Sequence, residues 1–160
     1  TGVVSGTLDV TTLTATSLGD PSVTGSAREH TTVRQSFGSS LSPRFVELVE
    51  PGETLEFRHT LVNIGNALDT FAISATATLP WPLTVSPGST TLGPSAFDSF
   101  ITLRVQVPAD APLGAVNRIT VTAASRGGPG HVSAVEHVMA LPPLPQPKVE
   151  YPAYLPVIWR

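Results

Sequence analysis

Four stretches of this chain run apolar and polar side chains on alternate positions, and that period of two constrains the fold more than any other feature. Leu55, Phe57, His59 and Leu61 interleave with Thr54, Glu56, Arg58 and Thr60, and Phe71, Ile73, Ala75 and Ala77 with Thr70, Ala72, Ser74 and Thr76. Further on, Ile101, Leu103, Val105 and Val107 interleave with Phe100, Thr102, Arg104 and Gln106, and Ile119, Val121 and Ala123 with Arg118, Thr120 and Thr122. Successive side chains of a strand point to opposite faces, so each stretch predicts a strand with one buried and one solvated face. Turn residues separate them: Pro51-Gly52, Ile64-Gly65-Asn66, Pro87-Gly88, Pro108 to Gly114 and Gly127 to Gly130. Short alternating strands at this spacing predict an all-β antiparallel sandwich. No window of 11 or more residues carries a helical period.

The stretch from Pro43 to Leu141 has the length of one sandwich of about 100 residues, so the two ends need separate accounts. Residues 1–18 are rich in Val, Leu and Thr and read as an extended strand; Gly19-Asp20-Pro21 is a turn, and 22–35 is a second, more polar strand. Residues 36–43, SFGSSLSP, read as a loop. The expected organisation is therefore an N-terminal extension over 1–43, a sandwich over 44–141 and a tail over 142–160. The tail, with its prolines alternating with Leu, Tyr, Val, Ile and Trp, favours extended geometry and is unsuited to a central strand. It is also apolar, which predicts that it docks on its own sandwich or on a neighbouring copy.

Composition narrows the chemistry. Only 13% of the 160 residues are charged, the formal charge is −3 and there is no cluster of Lys or Arg, so a nucleic-acid partner is not expected. No apolar run approaches the 18 or so residues of a membrane span. Without cysteine there is no disulfide, thiolate nucleophile or sulfur-based zinc site. The chain starts at Thr1 and reads as a processed or excised product. A Thr/Ser-rich surface with Lys148 as the single lysine leans toward a secreted, extracellular or cell-surface location.

The run VEPGETLEFRHTLVNIGNALDTFAISA, Val49 to Ala75, resembles the opening of immunoglobulin-like repeat domains of secreted and surface-anchored bacterial proteins. Its Pro-Gly-Glu turn precedes a strand, and an Asn-x-Gly-Asn hairpin leads to Asp-Thr-Phe. Trp81 to Ser125, with a tryptophan, a long strand and VPADAPLG, continues the likeness, which covers residues 46–140. Gly93-Pro94-Ser95-Ala96 departs from the family's usual Pro-Gly and acidic residue. YPAYLPVIWR is similar to a short YLP-type C-terminus on secreted proteins of some thermophilic bacteria. The resemblance implies a fold, a buried Trp81 and a spacer, adhesive, stalk or hydrolase-companion role; it implies no activity.

Candidate catalytic groups are sparse, and an enzyme is not expected. His131 and His137 share strand parity but lie about 20 Å apart at 3.3 Å per residue; His30 has no evident partner, and His59 falls on an apolar face. There is no Gly-x-Ser-x-Gly elbow. Glu47, Glu50, Glu53 and Glu56 read as a solvated rim. No cofactor and no metal site are expected, Asn66 and Asp69 remaining as oxygen ligands suited to calcium. Interface residues are the better candidates: Val4, Leu8 and Val10 in the extension, Phe100 on an outward parity, and Tyr151, Tyr154, Leu155, Ile158 and Trp159 in the tail. With no LPxTG-like signal and no lysine in the sandwich for isopeptide cross-links, assembly would be noncovalent. The expected role is a structural subunit that assembles with copies of itself into a surface fibre or layer. The alternative is a spacer or carbohydrate-binding module of a larger secreted hydrolase or adhesin, touching polysaccharide through Tyr151, Tyr154 or Trp159.

Overall fold

The inward parity of the alternating stretches can leave water only if two sheets face each other. A computed structural model, which describes residues 3–142, shows that arrangement. Its eleven strands are β1 (Leu8–Thr16), β2 (Thr24–Thr32), β3 (Ser39–Ser42), β4 (Val46–Val49), β5 (Thr54–Asn63), β6 (Asp69–Ala77), β7 (Leu83–Ser86), β8 (Ser89–Leu92), β9 (Phe97–Gln106), β10 (Val116–Ser125) and β11 (His131–Ala140). One sheet has the order β3-β5-β9-β7, the other β4-β11-β10-β6-β8, and β1 and β2 form a separate antiparallel hairpin. Both sheets are antiparallel except at the edge, where β4 runs parallel to β11.

The expected parities hold. Phe57, Leu61, Phe71, Ile73, Ile101, Leu103, Val105, Val107, Ile119, Val121 and Ala123 are all buried, and Trp81 is buried with them. Cross-strand pairs such as Phe57 with Leu103 and Ala123 with Ile73 place these residues on the inner faces. Burying each large apolar side chain contributes on the order of 1.5–3 kcal/mol, which is what holds the sheets together.

Two features depart from expectation. Residues 39–42, expected within a loop, form β3, pairing with β5 from Ser39 opposite Asn63 to Ser42 opposite Thr60 and burying Leu41. A serine-rich edge strand with one inward apolar residue has too short an alternation to register as a strand in the sequence. The chain then crosses at Ser42–Pro43, a cis peptide, from the β3 edge of one sheet to the β4 edge of the other. In β9 the register against β5 shifts between His59 and Leu61, so that Ser99 and Phe100 together lie opposite Thr60. Such a bulge admits an extra residue and re-aims its side chains. Phe97 and Phe100 consequently both face solvent, 65% and 75% exposed.

Candidate functional site

Three places in the molecule hold groups that the fold alone does not account for. The first is inside the sandwich, beneath the β3-to-β4 crossing. His59 on β5 and Glu136 on β11 come from opposite sheets and both are fully buried. The Nδ1 of His59 lies 3.1 Å from the Pro43 carbonyl oxygen, and the Phe45 N–H donates to Glu136 Oε2 at 2.5 Å. A carbonyl can only accept, so Nδ1 carries the proton. The other nitrogen, Nε2, faces Glu136 Oε1 at 3.6 Å, and neither atom has another partner among the described residues. An unprotonated ring nitrogen facing a carboxylate would set two lone pairs against each other, so this arrangement calls for one proton between them. Burial pushes His59 below the ordinary histidine range. It also pushes Glu136 up, against the opposing pull of the Phe45 N–H and the Arg44 charge. Both directions put that proton on the glutamate and leave the pair neutral, the less costly form in a low-dielectric interior. Phe45 stacks edge-on against His59, ring centroids 5.6 Å apart, and at 5.0 Å against Phe57, closing the pocket from the crossing segment. The pair fastens Pro43 and Phe45, hence the crossing itself, to both sheets at once.

The apolar parity of β5 predicts a hydrogen-bonded core or edge histidine at His59; the structure supplies that bond to the Pro43 carbonyl and adds Glu136 as an unexpected neighbour. The signal was present: Val132, Ala134, Val138 and Ala140 share Glu136's parity, and a single carboxylate among four apolar residues calls for a buried partner.

The second place is the Asn-x-Gly-Asn loop between β5 and β6. Asn63 is buried, its amide donating to the Ala67 and Leu92 carbonyls while its oxygen accepts the Gly65 N–H. Asn66 points the other way and clasps the root of the hairpin. Its side-chain oxygen accepts the Ser36 N–H at 2.8 Å and its amide donates to the Arg34 carbonyl at 2.9 Å. Its backbone N–H donates to the Ser36 oxygen, and its carbonyl accepts the Ser5 N–H. Gly65 is required here, because a Cβ would come within 2.6 Å of the Ser36 oxygen. Asp69 binds Ser125 Oγ and the Gly127 N–H, tying down the β10–β11 turn. Phe37 lies across that turn so closely that a Cβ on Gly127 would sit 2.5 Å from its ring. Asn66 and Asp69, the calcium candidates, thus hold two different segments. Among the described residues no group of three or more His, Asp or Glu converges as a metal site.

The third place is the surface. Val4, Leu8 and Val10 are exposed, as are all eighteen residues of β1 and β2. Phe100 is exposed as its parity required, and Phe97, which sequence reasoning missed because it did not foresee the bulge, stands beside it in β9. Glu47, Glu50, Glu53 and Glu56 are exposed. Tyr151, Tyr154, Leu155, Ile158 and Trp159 lie outside the described residues. An open groove of about 430 Å³ is lined by Pro82, Leu83, Thr84, Arg104 and Gln106, with no carboxylate or imidazole among them.

Taken together, the two facing sheets and the edge segment that crosses from one to the other between β3 and β4 define an immunoglobulin-like β-sandwich. No family model matches the sequence, and no curated protein matches it. Solved structures do. One is a family 123 glycoside hydrolase from Clostridium perfringens, at 9% identity and TM-score 0.50, over 66% of this chain and 27% of the other. Another is a PapD-like domain of human CEP192, at 16% identity and TM-score 0.48, over 64% of this chain and 84% of that domain. A third is domains 4 and 5 of the S-layer protein SbsC, at 19% identity and TM-score 0.39, over 72% and 59%. At these identities the likeness concerns the fold. No helix among the described residues is long and apolar enough to cross a membrane.

Proposed function

We propose that this chain is a non-catalytic extracellular structural module that assembles noncovalently with copies of itself into a surface fibre or layer, its N-terminal hairpin serving as the contact element. The observation that carries this is the hairpin: nine residues in each strand, held at its root by Asn66, every one of them exposed among the described residues. A two-stranded ribbon is marginal in water by itself, and exposed strand edges recruit further strands. The resemblance of residues 46–140 to surface and secreted repeat domains supports the extracellular setting.

The test is the state of the full chain in solution and on a grid. Light scattering and electron microscopy should find particles larger than one chain, with a repeat; a monomer at all concentrations would sink this reading. A second reading, a carbohydrate-contacting accessory module, is favoured by Phe97 and Phe100, two exposed aromatic rings on one strand. It expects retention on insoluble glycan that Phe100→Ala removes.

A further inference from the structure

The edges of the sandwich are short. Its four edge strands β3, β4, β7 and β8 are four residues each, a length that blunts recruitment of another strand. The nine-residue edges of the hairpin are more than twice as long. Which backbone groups those edges present follows from the ladder. The Val33 N–H donates to the Thr7 oxygen, and the Ser17 N–H to the Val23 oxygen. Bonding alternates along an antiparallel pair, so the odd-numbered residues of β1 turn their N–H and C=O toward β2. Leu8, Val10, Thr12, Thr14 and Thr16 turn theirs outward, as do Thr24, Ser26, Arg28, His30 and Thr32 of β2.

We infer that β1 is a self-pairing edge: two copies join antiparallel through β1 in the register centred on Thr12, making a continuous four-stranded ribbon with β2 on each outer side. This deepens the assembly reading above and rests on it for the choice of a second copy as partner. Symmetry selects the register. Only a two-fold centred on Thr12 engages every outward residue of β1, Leu8 facing Thr16 and Val10 facing Thr14, for about ten hydrogen bonds. Charge selects the strand. The single charge of β1, Asp9, then falls opposite Ala15 of the second copy. The equivalent full register of β2 centres on Arg28 and sets that guanidinium against its own symmetry mate, which is repulsive for directly opposed residues. The β1 register also keeps Leu8 and Val10 of both copies on one face and sets Leu13 beside Thr11 of the second copy on the other. A two-fold contact closes on itself, so this edge gives a dimer and any filament requires a further contact.

The sequence has no cysteine, so one can be placed at will in the full chain. In hydrogen-bonded antiparallel pairs the Cα atoms are about 5.5 Å apart, within disulfide reach. Thr12→Cys is expected to give most of the protein as a disulfide-linked dimer under mild oxidation, and Arg28→Cys to remain monomeric. Thr12→Pro, which removes an outward N–H and leaves the β2 ladder intact, should weaken the dimer at least roughly tenfold in sedimentation velocity, with an unchanged melting transition. Cross-linking at Arg28→Cys equal to that at Thr12→Cys overturns the proposal, as does a wild-type chain that sediments as a monomer throughout. Ordered assemblies in which Thr12→Cys stays unlinked overturn the β1 register while leaving the broader assembly reading standing; linked dimers with no larger particle do the reverse.

Discussion

The sandwich and the hairpin are built from the same kind of strand and end in opposite physical situations. Strands β5 and β9 hide most of one face, from Phe57 to Asn63 and from Ile101 to Val105, whereas β1 and β2 hide neither. Leu103 and Leu13 show the contrast at a single residue type: one is fully buried between sheets, the other exposed. Strand formation here therefore has two sources. In the sandwich it follows from burial, and in the hairpin from β-branched propensity, a tight turn in which Asp20 accepts both the backbone and the hydroxyl hydrogens of Ser22, and the Asn66 clasp at the root.

The largest expected effect comes from the buried side. Leu103→Ala should lower unfolding free energy by about 2–5 kcal/mol, combining lost transfer energy with a cavity between sheets that cannot collapse onto it. Urea unfolding measures this, and a loss below about 1 kcal/mol would mean that the two regions differ less than their burial implies.

A smaller, pH-dependent effect belongs to His59 and Glu136. In the unfolded chain Glu136 takes its proton near 4.5 and His59 near 6.5. Folded, His59 is lowered, so its contribution is present above 6.5 and lost as pH falls below it. Glu136 is raised, so its contribution is present below 4.5 and lost as pH rises past it. A folded pair that keeps one proton therefore matches the unfolded count between 4.5 and 6.5, where the pair contributes most, and stability declines on both sides. Glu136→Gln keeps an acceptor for the Phe45 N–H and a donor for His59 Nε2 but cannot ionise. Above pH 6.5 it should gain on the wild type by up to about 1.4 kcal/mol per pH unit until the wild-type pair loses its proton. Parallel melting curves of the two proteins from pH 6.5 to 9 would refute the shared-proton account.

How much of this could be read in the sequence tracks burial again. Alternation exposed the core strands because each apolar residue of Ile101, Leu103, Val105 and Val107 is paired with a polar neighbour, and two sheets must hide them. It did not expose β3, where Leu41 is the only inward apolar residue, nor the bulge that turned Phe97 outward, because register is a property of two strands and not of one. The buried pair lay between those cases. Glu136 shares its parity with four apolar residues, but its partner on β5 is 77 positions away, and only the crossing of β3 into β4 shows why both are needed. The Asn-x-Gly-Asn sequence suggested a hairpin turn; that its second asparagine holds a different hairpin depended on contacts with residues thirty positions earlier.

The clasp offers a test at the boundary of the two regions. Asn66→Ala removes two side-chain hydrogen bonds of about 0.5–1.5 kcal/mol each. Both are at the root of the hairpin and outside the core, so the loss should be local. Amide exchange should quicken for residues 8–32 while the amides of β9 and β10 keep their protection. Faster exchange throughout β9 and β10 would mean that the hairpin and sandwich unfold as one unit.

The smallest expected effect is on the hairpin itself. Leu13→Thr replaces an exposed side chain by one of higher strand propensity and similar breadth, and Leu13 is neither in the hydrophobic core nor packed against it. Unfolding free energy of the sandwich, measured at protein concentrations low enough to keep copies apart, should move by no more than about 0.5 kcal/mol in either direction. The same substitution at high concentration should weaken self-association, because Leu13 is one of few apolar groups the ribbon has to offer a partner. A loss of more than about 1 kcal/mol in dilute solution would show that the hairpin lies against its own sandwich, where its residues would complete the core and leave no free edge for a second copy.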